Sequence, residues 1–277
     1  MDAKSPRAPS SRSTRVAIIA ITAVLYAIGK GLTAYVPSPW GVGSLLVGIF
    51  LPAYFAVVSE TIPAAVGAAI GTFVGDALFL TPLGTTNPLL SLIAGVPANL
   101  FAFLLFGWFV KKYGTWSGFV AGTVAFVTLG NLIAAVSVDL FGGLVFSPAL
   151  GLANFGAVNV ILGLTVFWNT TSIPAIIIAV PILIRATRPL FGRSQILKFN
   201  PQWSAGGTRR QVALSLTFAG LFLLLGIVFL LGFYSSVSGI WPQLDIYVPA
   251  AALLVLVFAP LVSVVAGSGR KATQAAT

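Results

Sequence analysis

The sequence predicts an all-α, polytopic membrane protein, and three observations predict it. Apolar residue types make up 58% of the 277 residues and charged types only 7%. Soluble domains carry roughly 25% charged residues, so this chain has too few charges to cover a water-facing surface. The apolar residues come in long continuous runs, which favours membrane-spanning helices over the short alternating strands of an outer-membrane barrel. The basic residues flank these runs instead of forming a stripe along one element. That is the pattern of topology control, and it argues against nucleic-acid binding despite a net charge of +10.

The elements follow in order. Residues 1–14 are polar and basic and read as a disordered cytoplasmic N-terminus. Spans are expected near 15–36, 43–58, 62–80, 88–110 and 116–138, each close to the length that crosses a bilayer. Asn87-Pro88 and Ser147-Pro148 each place a capping side chain before a proline at the first helical position. Lys111 and Lys112 close the fourth span, and Arg185, Arg188, Arg193, Lys198, Arg209 and Arg210 form a basic connector without an acid. Placing these with both termini in the cytoplasm leaves Lys30 as the one basic residue on the other side, and requires one net crossing from 139 to 185.

The run Trp168-Asn169-Thr170-Thr171-Ser172, followed by Pro174 and Pro181, interrupts that last stretch. It reads as a re-entrant or outward-lying segment at 148–167 and a sixth span near 172–187, the alternative being a simple proline-kinked helix. The expected organisation is a six-helix core, 15–187, a basic cytoplasmic connector, 188–211, that touches anionic lipids, a two-helix appendix, 212–267, and a cytoplasmic tail, 268–277.

Two absences bound the chemistry. With no Cys there are no disulfides, iron–sulfur clusters or thiol nucleophiles. With no His, the commonest metal ligand and general base is missing, and the acids number only five: Asp2, Glu60, Asp76, Asp139 and Asp245. The sequence also lacks a G-x-x-x-x-G-K-[ST] phosphate loop. The expectation is a non-enzyme without metal or cofactor.

Polar residues gather in the half opposite the basic flanks. Lys30, Asp76, Asn87, Asn99, Asn131, Trp168 and Asn169 are candidate ligand contacts there. Ionisable groups inside a membrane are costly and point to function, although Lys30 and Asp76 pairing with each other would be structural, and amides such as Asn99 and Asn131 also join helices. The loop between the first two spans carries Tyr35, Trp40, two prolines, and Gly41 and Gly43. It reads either as a stiff aromatic lid over a small planar ligand or as an interfacial aromatic belt. Ala20, Ala23 and Ala27 put small residues at helical spacing on the first span, as do Gly67, Gly71 and Gly75 on the third. Such stripes let helices approach closely, within the fold or with a partner.

Four stretches resemble one family. They are Leu25-Tyr26-Ala27-Ile28-Gly29-Lys30 ending an alanine-rich helix, the loop Tyr35-Val36-Pro37-Ser38-Pro39-Trp40-Gly41-Val42-Gly43, the segment Gly67-Ala68-Ala69-Ile70-Gly71-Thr72-Phe73-Val74-Gly75-Asp76, and Ser91-Leu92-Ile93-Ala94-Gly95-Val96-Pro97-Ala98-Asn99. Their order and spacing resemble the substrate-binding (S) component of energy-coupling factor (ECF) transporters, in its archaeal form. The resemblance implies a six-helix core that binds a vitamin-like micronutrient in an outward-facing pocket under the loop between helices 1 and 2. It implies that Ala23 and Ala27 contact a membrane scaffold (T) subunit, that two cytoplasmic ATPases supply the energy, and that the protein sits in the cell membrane. The two-helix appendix departs from this pattern. Competing readings are an ion-coupled secondary transporter using Asp76 and a non-transporting membrane scaffold.

Overall fold

A computed structural model describes residues 11–38, 40–145 and 157–199, with isolated positions 201, 217, 220, 221 and 224. Most of the expected appendix, the tail, residues 1–10, all of 146–156 and the far part of the connector lie outside the described residues. Those described are almost wholly helical, without a named strand.

Helix α1 spans Arg12–Thr33, its start capped by the Ser11 hydroxyl, which accepts from Thr14 N–H at 3.2 Å. Val47–Val58 forms α2, a shorter apolar helix whose first turn is 3₁₀. The next helix, α3, covers Thr61–Leu80, and α4 covers Pro88–Tyr113, opened by Asn87, whose side chain accepts from Leu90 N–H at 2.7 Å. Helix α5 comprises Trp116–Gly122, the turn Thr123–Val127 and Thr128–Val145, and α6 is Ala157–Ala186. Among the described residues, five helices (all but α2) are long and apolar enough to cross a membrane.

Of the two readings of the stretch near 169–174, the described residues take the continuous proline-bearing helix and not the re-entrant segment. Residues 157–167, assigned to a re-entrant segment, are part of one helix that runs through Pro174 and Pro181 to Ala186. Each proline removes one backbone donor, whereas ending the helix would strand several groups where no water can reach them. The hydroxyls of Thr165, Thr170 and Thr171 donate back to the carbonyls of Ile161, Phe167 and Trp168, at 2.7, 2.8 and 3.1 Å, so these side chains meet their own hydrogen-bonding need within the helix.

Small residues set the helix spacing. A Cβ at Gly67 would lie 2.7 Å from Thr22 Cβ, at Gly71 2.7 Å from Ala23 O, and at Gly75 3.1 Å from Lys30 Cδ. The glycine stripe of α3 therefore receives α1 directly, as small-residue stripes do where lipid supplies no hydrophobic drive. This occupies the face that holds Ala23 and Ala27, both buried, and leaves Ala20 exposed. Ala23 and Ala27 are spent inside the fold, contrary to the expectation of an external docking stripe. The two stripes satisfy each other.

At the end that holds Arg15, Lys111 and Arg185, the bundle is sealed. Phe103, Phe106, Phe119, Ile173, Ile176 and Ile177 are fully buried in one apolar cluster. Glu60 sits between Arg15, at 3.0 Å, and Lys198, at 3.3 Å. Lys198 N–H and Phe199 N–H both donate to Val58 O, at 2.8 and 2.9 Å, and Leu197 is buried. The first part of the basic connector thus packs back on the helices instead of running free along the surface.

Candidate functional site

The opposite end opens. There, α1 to α6, with the loops that join them, line a cavity of about 710 Å³ of empty space, its open mouth included. Its walls are mostly aliphatic, from Leu46, Ile49, Leu80, Leu90, Val127 and Val138, with Phe103 among the lining residues. Polar groups enter from several helices, among them Lys30, Thr72, Asp76, Ser91, Asn99, Asn131 and Trp168.

The charges are committed to each other. Lys30 Nζ pairs with Asp76 Oδ1, and Ser91 Oγ donates to Asp76 Oδ2 at 2.6 Å. Lys30 and Asp76 are each 5% exposed. A bare charge at this depth would be very unfavourable, so the pair and its hydroxyl partner form one neutral unit tying α1, α3 and α4 together. The amides behave similarly in part. Tyr26 OH donates to Asn99 Oδ1 at 3.1 Å, Asn99 Nδ2 donates to Gly95 O at 2.9 Å, and Asn131 Nδ2 donates to Asn169 Oδ1 at 2.8 Å.

A feature the sequence did not signal surrounds the cavity. Asp76–Leu80, Ser91–Gly95 and Thr123–Val127 are π-helical turns. Each contributes lining residues: Asp76 and Leu80, then Ser91, Ala94 and Gly95, then Val127. Such turns are rare and gather at functional sites, because the extra residue re-aims the side chains that follow. Here two of the turns begin with the hydrogen-bonded residues Asp76 and Ser91.

The loop between α1 and α2 roofs the site. Ser38 N–H donates to Gly43 O, Leu45 N–H to Val36 O, and Gly43 N–H to Thr85 O at 2.7 Å, which ties this loop to the one between α3 and α4. Gly41 and Gly43 take φ values of 75° and 70°, a region open to glycine but strained for other residues. Glycine at 43 also makes room, since a Cβ there would lie 2.9 Å from Trp168 Cζ2. The Trp40 ring packs against Gly163 of α6 so closely that any Cβ at 163 would overlap it.

The nine expected site residues therefore divide. Lys30, Asp76, Asn99, Asn131 and Trp168 line the cavity together. Asn169 is buried behind it through its bond to Asn131. The other three differ from the expected ligand contacts. Asn87 caps α4, Trp40 anchors the roof, and Tyr35 is 77% exposed. Replacing Trp40 with Ala is expected to loosen the roof alone. Amide hydrogen exchange over 36–46 should rise about tenfold or more while that of α3 and α4 stays unchanged, as read by exchange mass spectrometry on the purified protein.

No protein-family model matches this chain, and no curated protein or solved structure matches it either.

Proposed function

We propose that the chain is a membrane-embedded substrate-binding subunit, resembling the S component of ECF transporters, that captures a vitamin-like micronutrient for uptake driven by separate ATPases. The observation that carries this reading is a half-open cavity, lined by polar groups from several helices under a hydrogen-bonded roof, at the end of the bundle away from its basic flanks. The positive-inside rule turns that cavity outward and the sealed, basic end toward the cytoplasm of the cell membrane. The aromatic and aliphatic plug around Phe103 and Phe106 favours capture from one side over a continuous pore. Release then requires movement of the whole subunit by partners, the T component and two ATPases in the ECF scheme. In this reading α1 to α6 form the six-helix core, and 212–267 adds two further spans.

The ion pair weighs against the ion-coupled alternative. Asp76 already has Lys30 and Ser91 on its two oxygens, so a coupling ion would have to displace one of them.

The test is affinity purification of the tagged full chain from its native membrane. A scaffold membrane protein and two ATPases should co-purify, and mass spectrometry of the extract should find a stoichiometric small molecule. Uptake by the chain alone in proteoliposomes under an ion gradient would refute the subunit role.

A further inference from the structure

The cavity also states what kind of molecule it accepts. This step rests on the binding role proposed above. Of the described lining residues only Lys30 and Asp76 are ionisable, and they neutralise each other. A charged ligand would enter an apolar-walled site with no free counter-charge, an unfavourable transfer unless the existing pair is broken.

Other polar groups have no such partner. Trp168 lines the cavity at 6% exposure, and its buried indole N–H makes no hydrogen bond among the described residues. Ser44 in the roof also lines it, is 1% exposed, and its buried hydroxyl is likewise unbonded among the described residues. Next to Trp168, Asn169 has an unbonded Nδ2 while its Oδ1 is taken by Asn131. An indole N–H only donates, an amide nitrogen only donates, and a hydroxyl can donate. Buried donors left unmade are unfavourable, so their complement is an acceptor. Gly43 lies against the same indole, which places it directly beneath the roof.

We infer that the cavity binds an uncharged molecule with an apolar body, whose carbonyl-type acceptor is directed at the Trp168 indole N–H and the Ser44 hydroxyl.

The test uses the full chain in nanodiscs, with empty nanodiscs as the blank, and equilibrium dialysis read by mass spectrometry. The probes are two matched sets: nicotinamide, nicotinate and 3-(aminomethyl)pyridine, then 2-naphthamide, 2-naphthoate and 2-(aminomethyl)naphthalene. Within at least one set the amide should bind about tenfold or more tightly than either charged analogue, as expected where a site is built around a hydrogen bond. Trp168→Phe, which keeps the ring and loses the N–H, should erase most of that preference, and Ser44→Ala should reduce it independently. Tighter binding of a carboxylate or ammonium probe, or an amide preference unchanged in both variants, overturns the inference while the binding role stands. Binding of none of the six above the blank overturns both.

Discussion

Lys30→Met is expected to be among the most damaging single substitutions in this protein, with a loss of stability of about 3–5 kcal/mol. The magnitude follows from burial. Asp76 sits 5% exposed, and without Lys30 its charge faces an apolar wall and one hydroxyl, that of Ser91. Removing one member of a buried pair leaves the other uncompensated, which is worse than never having had the pair. Asp76→Asn should also destabilise, by stranding Lys30. The double variant Lys30→Met with Asp76→Asn should recover most of the loss, because the amide still accepts from Ser91 and no charge is left. Unfolding titrations in mixed micelles, arranged as a double-mutant cycle, measure this directly. A Lys30→Met variant within about 1 kcal/mol of the parent would mean that water reaches the pair, and the neutral unit described at the cavity would fall.

The second large effect is expected at Gly71. A Cβ there meets Ala23 O at 2.7 Å and Ala23 Cα at 3.0 Å, both backbone atoms that cannot rotate away. Gly71→Leu should force α1 from α3 at a cost of about 3 kcal/mol or more, the upper end of what overpacking does. Because Lys30 on α1 faces Asp76 on α3, the same separation should open the ion pair and disturb the cavity. Ala20→Leu is the control, since Ala20 is exposed and away from that seam. It should leave the melting temperature nearly unchanged. If a partner helix docks on the exposed face of α1, Ala20→Leu should instead weaken co-purification with it. A Gly71→Leu protein as stable as the control would show that the seam is not close-packed.

How much was legible in the sequence differs from element to element. The spans were legible because a bilayer sets a length and an apolarity, and both are properties of a local window. So Thr61–Leu80 and Pro88–Tyr113 fall within a few residues of the runs that predict them. Residues 157–186 left two readings open, because Asn169, Thr170, Thr171, Ser172 and two prolines resemble a breaker when counted by type. The hydroxyls of Thr170 and Thr171 bond back to their own helix, and that remedy is visible only once the helix exists. The connector, by contrast, misled. Its charges suggested a solvated strip, while Ile196, Leu197 and Phe199 between them pack on the core.

Five of the nine candidate site residues reach the cavity because they share a depth, which the sequence encodes by position along each span. Rotation about each helix axis is a different matter. In a soluble helix the polar face points outward and fixes that rotation, but here lipid and core are both apolar and no stripe distinguishes them. Apolar run length and the placement of Lys and Arg were enough to establish a helical membrane protein with one basic end and one polar end. The pairing of Lys30 with Asp76, the burial of Trp40 beside an exposed Tyr35, the π turns around the cavity and the unbonded indole of Trp168 were settled by how the helices turn toward one another, through glycine seams and cross-helix hydrogen bonds between residues far apart in the chain.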